Sequence, residues 1–172
     1  PSEREISGRT KPWRTRAQLA RLPPRPEGEG FSFQVVGDGE PGRFFFARWL
    51  FGVPGVFERQ LRTAQARGGD FVLQLGDMVS RGLPRHYSAF LNMLERVGAP
   101  QAFLTVLGNH DRRRPHGVSD ARLYQSLFGS PNYFFDHGGA RFVVADSSAG
   151  RMTRAQLKWL DRVLHTPKTK IV

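Results

Sequence analysis

Short apolar runs and longer amphipathic stretches alternate along the chain, and this change of period predicts its secondary structure. Nearly continuous apolar runs of strand length occur at residues 31–37, 71–75 and 102–107. The stretches after the first two runs, 43–67 and 86–97, carry apolar residues at helical spacing. Strands that alternate with helices in this way are typical of an α/β fold.

The pattern changes in the last third of the chain. A third helix is predicted at 119–128, and two strand-like runs, 133–136 and 141–145, then flank a Gly-rich turn, which indicates an antiparallel hairpin. A threonine N-cap begins a predicted helix at 153–164, and residues 170–172 begin another strand. The complete order therefore predicts a mixed α/β sheet.

The first part of the chain differs in composition from the rest. It is basic and rich in Pro, with a short helix predicted at 13–22 and a Pro- and Gly-rich linker at 23–30. We expect residues 1–30 to form an N-terminal extension that is mostly disordered or docked on the surface. Residues 31–172 are expected to form the folded domain.

Length and composition exclude several classes of protein. The 172 residues suffice for one domain with a hydrophobic core, and the absence of Cys excludes disulfides, thiolate zinc sites and a cysteine nucleophile. No apolar stretch is long enough to span a membrane, and no signal peptide is visible. These features favour a cytoplasmic location.

The chain is strongly basic. Its net charge is +11, with 26 Lys and Arg against 15 Asp and Glu. This charge suits a phosphorylated or polyanionic partner and leaves nucleic acid open. The arginines are scattered, however, and are not interleaved with aromatic residues as on a base-stacking surface.

Three predicted strands end in glycine followed by a residue with a side-chain oxygen: Asp38, Asp77 and Asn109. Because ligands bind at the carboxyl ends of the strands in an open α/β sheet, we expect these side chains to meet. Such oxygens suit hard cations, and a carboxylate can bridge two ions. Asp77, the middle one in sequence, is the candidate bridging ligand. His110 is a candidate proton donor or phosphate contact.

A competing motif overlaps the first strand end. Residues 37–42 fit the G-x-G-x-x-G fingerprint of dinucleotide-binding loops. In that interpretation Asp38 and Glu40 would place two negative charges beside a pyrophosphate, and Gly108–Asp111 would have no role. The metal-site interpretation is therefore preferred.

Taken together, these motifs resemble those of the calcineurin-like metallophosphoesterase superfamily. Asp38–Glu40 stands at the family's D-x-H motif, Gly76–Val79 at its G-D-x-x motif, and Gly108–Asp111 at its G-N-H-D motif, which is the most specific of the three. The resemblance covers residues 31–172 and includes Asp146–Ser148 with the helix that follows. It implies a sandwich of mixed β-sheets flanked by helices.

The resemblance also implies roles for individual residues. Asp38 would bind one metal ion, Asp77 would bridge two, and Asn109 would bind the second. Glu40 stands where the family usually has a His ligand and is kept as a candidate metal ligand. His110 would be the acid or the phosphate contact, and we expect Asp111 of the same motif to be catalytic.

Three adjacent cations, Arg112, Arg113 and Arg114, follow the G-N-H-D motif. Guanidinium groups bind phosphate bidentately, so the first two are candidate substrate-binding residues, with His110. The resemblance further implies two divalent metal ions, Mn²⁺ or Fe/Zn, and a metal-held water or hydroxide that attacks phosphorus.

The later motifs of the family, a lone His and G-H-x-H, are not found before Val172. We therefore expect the chain to be the first portion of a longer catalytic domain, truncated at its C-terminus. The remaining histidines do not supply the spacing, and we interpret His137 as a hairpin-turn residue and His165 as a helix-end residue. The alternative is a non-catalytic module that binds phosphate or nucleic acid.

Overall fold

Helices and strands alternate through the part of the chain that the computed structural model describes, residues 2–39, 55–113, 120–165 and 170–171. In chain order they are α1 Glu3–Arg9, a 3-10 helix Lys11–Trp13, α2 Thr15–Leu19, β1 Phe33–Val36, α3 Val56–Ala66, β2 Phe71–Gln74, α4 Pro84–Val97, β3 Ala102–Thr105, α5 Arg122–Phe128, β4 Tyr133–His137, β5 Ala140–Val144, α6 Arg154–Leu164 and β6 Lys170–Ile171. No helix in the described part of the chain is both long enough and apolar enough to cross a bilayer.

The described strands form two sheets. The first has the order β1-β2-β3 and is parallel throughout. In the second, β4 and β5 form the predicted antiparallel hairpin, and β6 pairs with β5 in parallel. The two sheets share one hydrophobic cluster, so they pack face to face. The predicted sandwich of mixed sheets is therefore confirmed.

Aromatic rings fill the space between the sheets. Phe71 of β2 stacks on Phe33 of β1 with ring centroids 4.8 Å apart, and it meets Phe142 of β5 edge-on at 5.2 Å. Because side chains alternate along a strand, Val72 points to the opposite face of the sheet. That face is covered by helices.

Helices α3, α4 and α5 form this second layer, and their apolar faces belong to one hydrophobic cluster with side chains of the first sheet. The periodicity predicted α4 to within two residues. Helix α5 begins at Arg122 rather than at 119, because the Asp120 backbone pairs with Arg113 and the Asp120 carboxylate accepts the Arg122 amide at 2.8 Å. The first part of the predicted 43–67 helix, and Ser119, lie outside the described residues. The buried side chains of this layer include Leu61, Tyr87, Phe90, Leu94, Leu127 and Phe128.

The start of the chain is not a disordered tail. Helix α1 packs on α4 and α5, and Ile6 is only 1% exposed. Helix α2, shorter than predicted, lies along β3. There the Gln18 side chain accepts a hydrogen bond from the Phe103 amide at 2.7 Å and donates one to the Pro12 carbonyl at 2.6 Å. These residues cover the edge of β3 that faces away from β2.

A buried polar junction joins the linker to both sheets. Asp70, just before β2, accepts two hydrogen bonds of 2.7 Å from the Arg25 guanidinium and lies 2.7 Å from His137 Nε2. His137 is not a turn residue, as we predicted, but the last residue of β4, 6% exposed. The hydrogen bonds from Arg25, with a smaller contribution from His137, lower the pKa of Asp70 to about 2.

Replacing Asp70 with Asn should lower the free energy of unfolding by about 2 kcal/mol at neutral pH, because charge-assisted hydrogen bonds are lost. A carboxyl whose pKa is lower in the folded state stabilises the fold above its unfolded pKa. The difference in the free energy of unfolding between wild type and variant should therefore have its full value at pH 7 and shrink between about pH 4 and pH 2. Urea unfolding across this range measures it, and a pH-independent difference would contradict the assignment.

Candidate active site

An open cleft lies at the carboxyl ends of the parallel strands. Its volume is about 630 Å³, and its lining includes Asp38, Asp77 and Asn109, which follow β1, β2 and β3 respectively. The structure thus brings together the three oxygen-bearing residues that the sequence placed at strand ends. Ala145 and residues 147–150, after β5, also line the cleft. Glu40, the remaining candidate ligand, lies outside the described residues.

Both candidate aspartates have an unusual backbone conformation. Asp38 has φ of 48° and Asp77 has φ of 51°, and among the described residues no other non-glycine residue has a positive φ. Asp tolerates this left-handed region better than most residues, but the conformation still costs free energy. Such strain is typical of functional sites, and here it turns each carboxylate sharply off its strand.

The loops after β2 and β3 touch through their backbones. A Cβ atom on Gly108 would lie 2.2 Å from both the amide nitrogen and Oδ1 of Asp77, and one on Gly76 would lie 2.7 Å from the Gly108 nitrogen. Gly76 is also held by Gln74, whose side chain accepts from its amide at 2.8 Å and donates to its carbonyl at 2.6 Å. Only glycine allows the two loops to approach this closely.

His110 lies beside the candidate bridging ligand. Its backbone amide donates a hydrogen bond of 2.9 Å to Asp77 Oδ1. The residue is partly buried, whereas Asn109 before it is exposed. The predicted roles of His110 as an acid or phosphate contact stay predictions.

Asp111 faces inward. Its side chain is 1% exposed and accepts hydrogen bonds from the Val79 amide at 3.1 Å and the Gly108 amide at 2.8 Å. Burial raises the pKa of Asp111 to about 7, although these two amides act in the opposite direction. The Tyr87 hydroxyl donates to its carbonyl at 2.7 Å. The carboxyl group ties the loops after β2 and β3 together. The predicted catalytic role of Asp111 stays a prediction.

Comparison with known proteins shows to which family the chain belongs. A family model for calcineurin-like phosphoesterases matches residues 36–171, which includes all three strand ends. The chain belongs to this family. The recognition made from the motifs is thereby confirmed.

Comparison with a solved structure supports the fold of the chain. A purple acid phosphatase from yellow lupin (Lupinus luteus) seeds superposes with a TM-score of 0.58 at 18% sequence identity, over 83% of this chain. The likeness shows a shared fold, and the chain covers 29% of that protein's length. No curated protein sequence matches the chain.

Arg112 and Arg113, after the G-N-H-D motif, pair with carboxylates of the chain itself. Arg112 pairs with Asp146 at 2.6 Å, and Arg113 pairs with Glu3 at 3.3 Å. Sequence analysis predicted that both would hold a substrate phosphate, and it did not identify these partners. Those substrate contacts stay predictions.

Sequence reasoning assigned no role to Asp146 or Ser148, although it noted the resemblance of this stretch to the family. The signal available was an Asp two positions after the apolar strand β5, as for Asp38 after β1, but with Ala145 in place of the glycine that marked Asp38 and Asp77. Gln74 carried no signal, since a glutamine inside an apolar run is indistinguishable from a solvent-facing residue.

The donor set of the cleft fits hard divalent ions. Two carboxylates and one amide oxygen lie on adjacent loops, and such oxygens are preferred by Mn²⁺ and Mg²⁺. In the described part of the chain, no three His, Cys, Asp or Glu side chains form a metal-holding group.

Proposed function

We propose that the protein containing this chain hydrolyses phosphomonoesters or phosphodiesters with two divalent metal ions. The observation that carries the proposal is the meeting of Asp38, Asp77 and Asn109 in one cleft, on a backbone strained at both aspartates. Membership of the calcineurin-like phosphoesterase family gives the class of reaction.

Each of these residues has a proposed role. Asp38 and Asn109 would each hold one ion, and Asp77 would hold both, since a carboxylate has two oxygens. When bound, the ions would supply positive charge that stabilises the transition state and lowers the pKa of a coordinated water. The His110 side chain would donate a proton to the leaving oxygen of the ester, and Asp111 would keep the Gly108 loop against the Val79 loop.

The proposed metal follows from the donors. Carboxylate and amide oxygens suit Mn²⁺, whereas iron and zinc sites rely more on imidazole. We propose Mn²⁺ as the activating ion, with Fe/Zn as the other pair consistent with the family. The substrate is a phosphorylated compound, and neither comparison supports the nucleic-acid partner that the net charge of +11 had left open.

Removing metal from the full-length protein tests this proposal. Dialysis against a chelator should abolish hydrolysis of p-nitrophenyl phosphate and bis(p-nitrophenyl) phosphate, and added Mn²⁺ should restore it. The rate should rise by about 100-fold or more on metal addition, as expected when metal ions stabilise the transition state. Chelator-resistant hydrolysis at the untreated rate would reject the metal-dependent mechanism.

A further inference from the structure

Arg112 links the G-N-H-D loop to a second wall of the cleft. Its side chain is 9% exposed, and its NH2 group lies 2.6 Å from Asp146 Oδ2. Its Nε donates a second hydrogen bond, also 2.6 Å, to Ser148 Oγ. The guanidinium thus uses two edges to hold two residues of the loop after β5.

Two further contacts hold the same loop through residues that lie before and after it in the sequence. The Asp146 amide donates to Asn132 Oδ1 at 2.8 Å, and Gln156 Nε2 donates to the Asp146 carbonyl at 2.7 Å. The Ser148 amide and hydroxyl both donate to Asp146 Oδ1. Asp146 therefore has its backbone and side-chain groups satisfied by protein partners, which fixes the position of the loop.

The fixed loop ends in a tight turn that faces the cleft. The Gly150 amide donates to the Ser147 carbonyl at 2.8 Å, and Ser147 is exposed. The side chains here are small and uncharged, in contrast to the carboxylates at the strand ends. The loop residues that line the cleft are Ala145, Ser147, Ser148, Ala149 and Gly150.

We propose that Arg112 is a positioning residue, and that the turn it holds, residues 147–150, receives the organic group of the phosphate ester. This rests on the proposed function, in which Asp38, Asp77 and Asn109 hold the metal ions that take the phosphate. A wall of small, uncharged residues leaves room for an organic group and places no charge beside it. The proposal also explains why the buried Arg112 side chain donates its hydrogen bonds to Asp146 and Ser148.

Equilibrium binding separates this proposal from the proposed function, because it needs no turnover. The two probes are phenylphosphonate, which carries an organic group, and inorganic phosphate, which does not. Their dissociation constants are measured by calorimetry on the full-length protein with Mn²⁺ present. Arg112→Gln should raise the dissociation constant of phenylphosphonate by about tenfold and change that of phosphate by less than about twofold.

A conservative variant separates positioning from charge. Arg112→Lys keeps the cation that pairs with Asp146 but cannot donate to Ser148 at the same time, since lysine lacks the planar fork. It should therefore raise the dissociation constant of phenylphosphonate by an intermediate amount, about threefold. Arg96→Gln removes a surface ion pair with Glu58 and serves as the matched control, with no change in either dissociation constant.

A second variant keeps the test informative if the Arg112 variants do not fold. Ser147→Phe adds bulk at an exposed position of the cleft and should weaken phenylphosphonate by about tenfold while sparing phosphate. Ala66→Phe, exposed at the end of α3, is the control for an added aromatic ring.

Three outcomes would overturn the proposal. The first is that Arg112→Gln weakens the binding of both probes equally. The second is that Ser147→Phe leaves phenylphosphonate binding unchanged. The third is that the wild type binds the two probes equally well. Any of these with metal-dependent hydrolysis intact rejects the role of the turn alone. Absence of hydrolysis with the expected binding pattern rejects the proposed reaction and leaves the role of the turn supported.

Discussion

Asp77→Asn should reduce phosphate-ester hydrolysis by about 1,000-fold, because the residue is the proposed ligand shared by both metal ions. The substitution removes one negative charge and the second anionic oxygen but keeps the shape of the side chain. Asn also tolerates the left-handed conformation at φ of 51° and can still accept the hydrogen bond from the His110 amide. The fold should therefore survive.

Two measurements separate loss of catalysis from loss of structure. Steady-state kinetics of the full-length protein with Mn²⁺ gives the change in kcat, and calorimetry gives the affinity for Mn²⁺, which should fall as well. The thermal unfolding midpoint should remain near that of the wild type. Asp161→Asn, an exposed carboxylate on α6, is the control and should have full activity. Hydrolysis by Asp77→Asn at the wild-type rate would remove Asp77 from the site.

Gly108→Ala should destabilise the protein by about 3 kcal/mol or more and disrupt the cleft. The new Cβ would lie 2.2 Å from backbone and side-chain atoms of Asp77, a distance that real Cβ contacts do not show. The backbone of the neighbouring loop cannot move aside without breaking the hydrogen bond from the His110 amide to Asp77 Oδ1. Relief of the clash therefore has to shift a candidate metal ligand.

Urea unfolding of both proteins measures this loss. Gly8→Ala is a suitable control, because Gly8 lies in α1 and a Cβ there has nothing within 4 Å. That substitution should stabilise the protein by about 0.5–1 kcal/mol through helix propensity. If Gly108→Ala were as stable as the wild type, the close approach of the two loops would be wrong.

The strand ends could be predicted because their signal is local. An apolar run followed by glycine and an oxygen-bearing residue gives both the strand and the position of the ligand, and the topology rule brings such ends together. Asp38, Asp77 and Asn109 follow from these two facts. Neither fact requires knowledge of side-chain contacts.

The direction in which the neighbours of these residues point could not be predicted. Asp111 and Arg112 follow Asn109 by two and three positions, and nothing in the sequence shows that one faces the Val79 amide and the other faces Asp146. Those partners lie in loops 32 and 34 positions away. The contacts depend on how the loops fold over each other.

Sequence analysis left open whether the N-terminal segment is disordered or docked, because its composition does not show which surface receives it. Proline and arginine are typical of disordered segments, yet Ile6 is an isolated apolar residue within a short helix that has a capping box between Ser2 and Glu5. The serine and glutamate were visible in the sequence three positions apart. A single apolar anchor and a cap are weak signals unless the surface that receives them is known.

The contact between Gln18 and β3 has a consequence for how the protein folds during synthesis. Gln18 and its partner Phe103 are separated by 85 positions. At a ribosomal rate of 5–20 residues per second, α2 leaves the ribosome roughly 10 s before the strand that it covers. Helix α2 is therefore made well before the strand that it contacts, and it can reach this contact only once β3 has been synthesised.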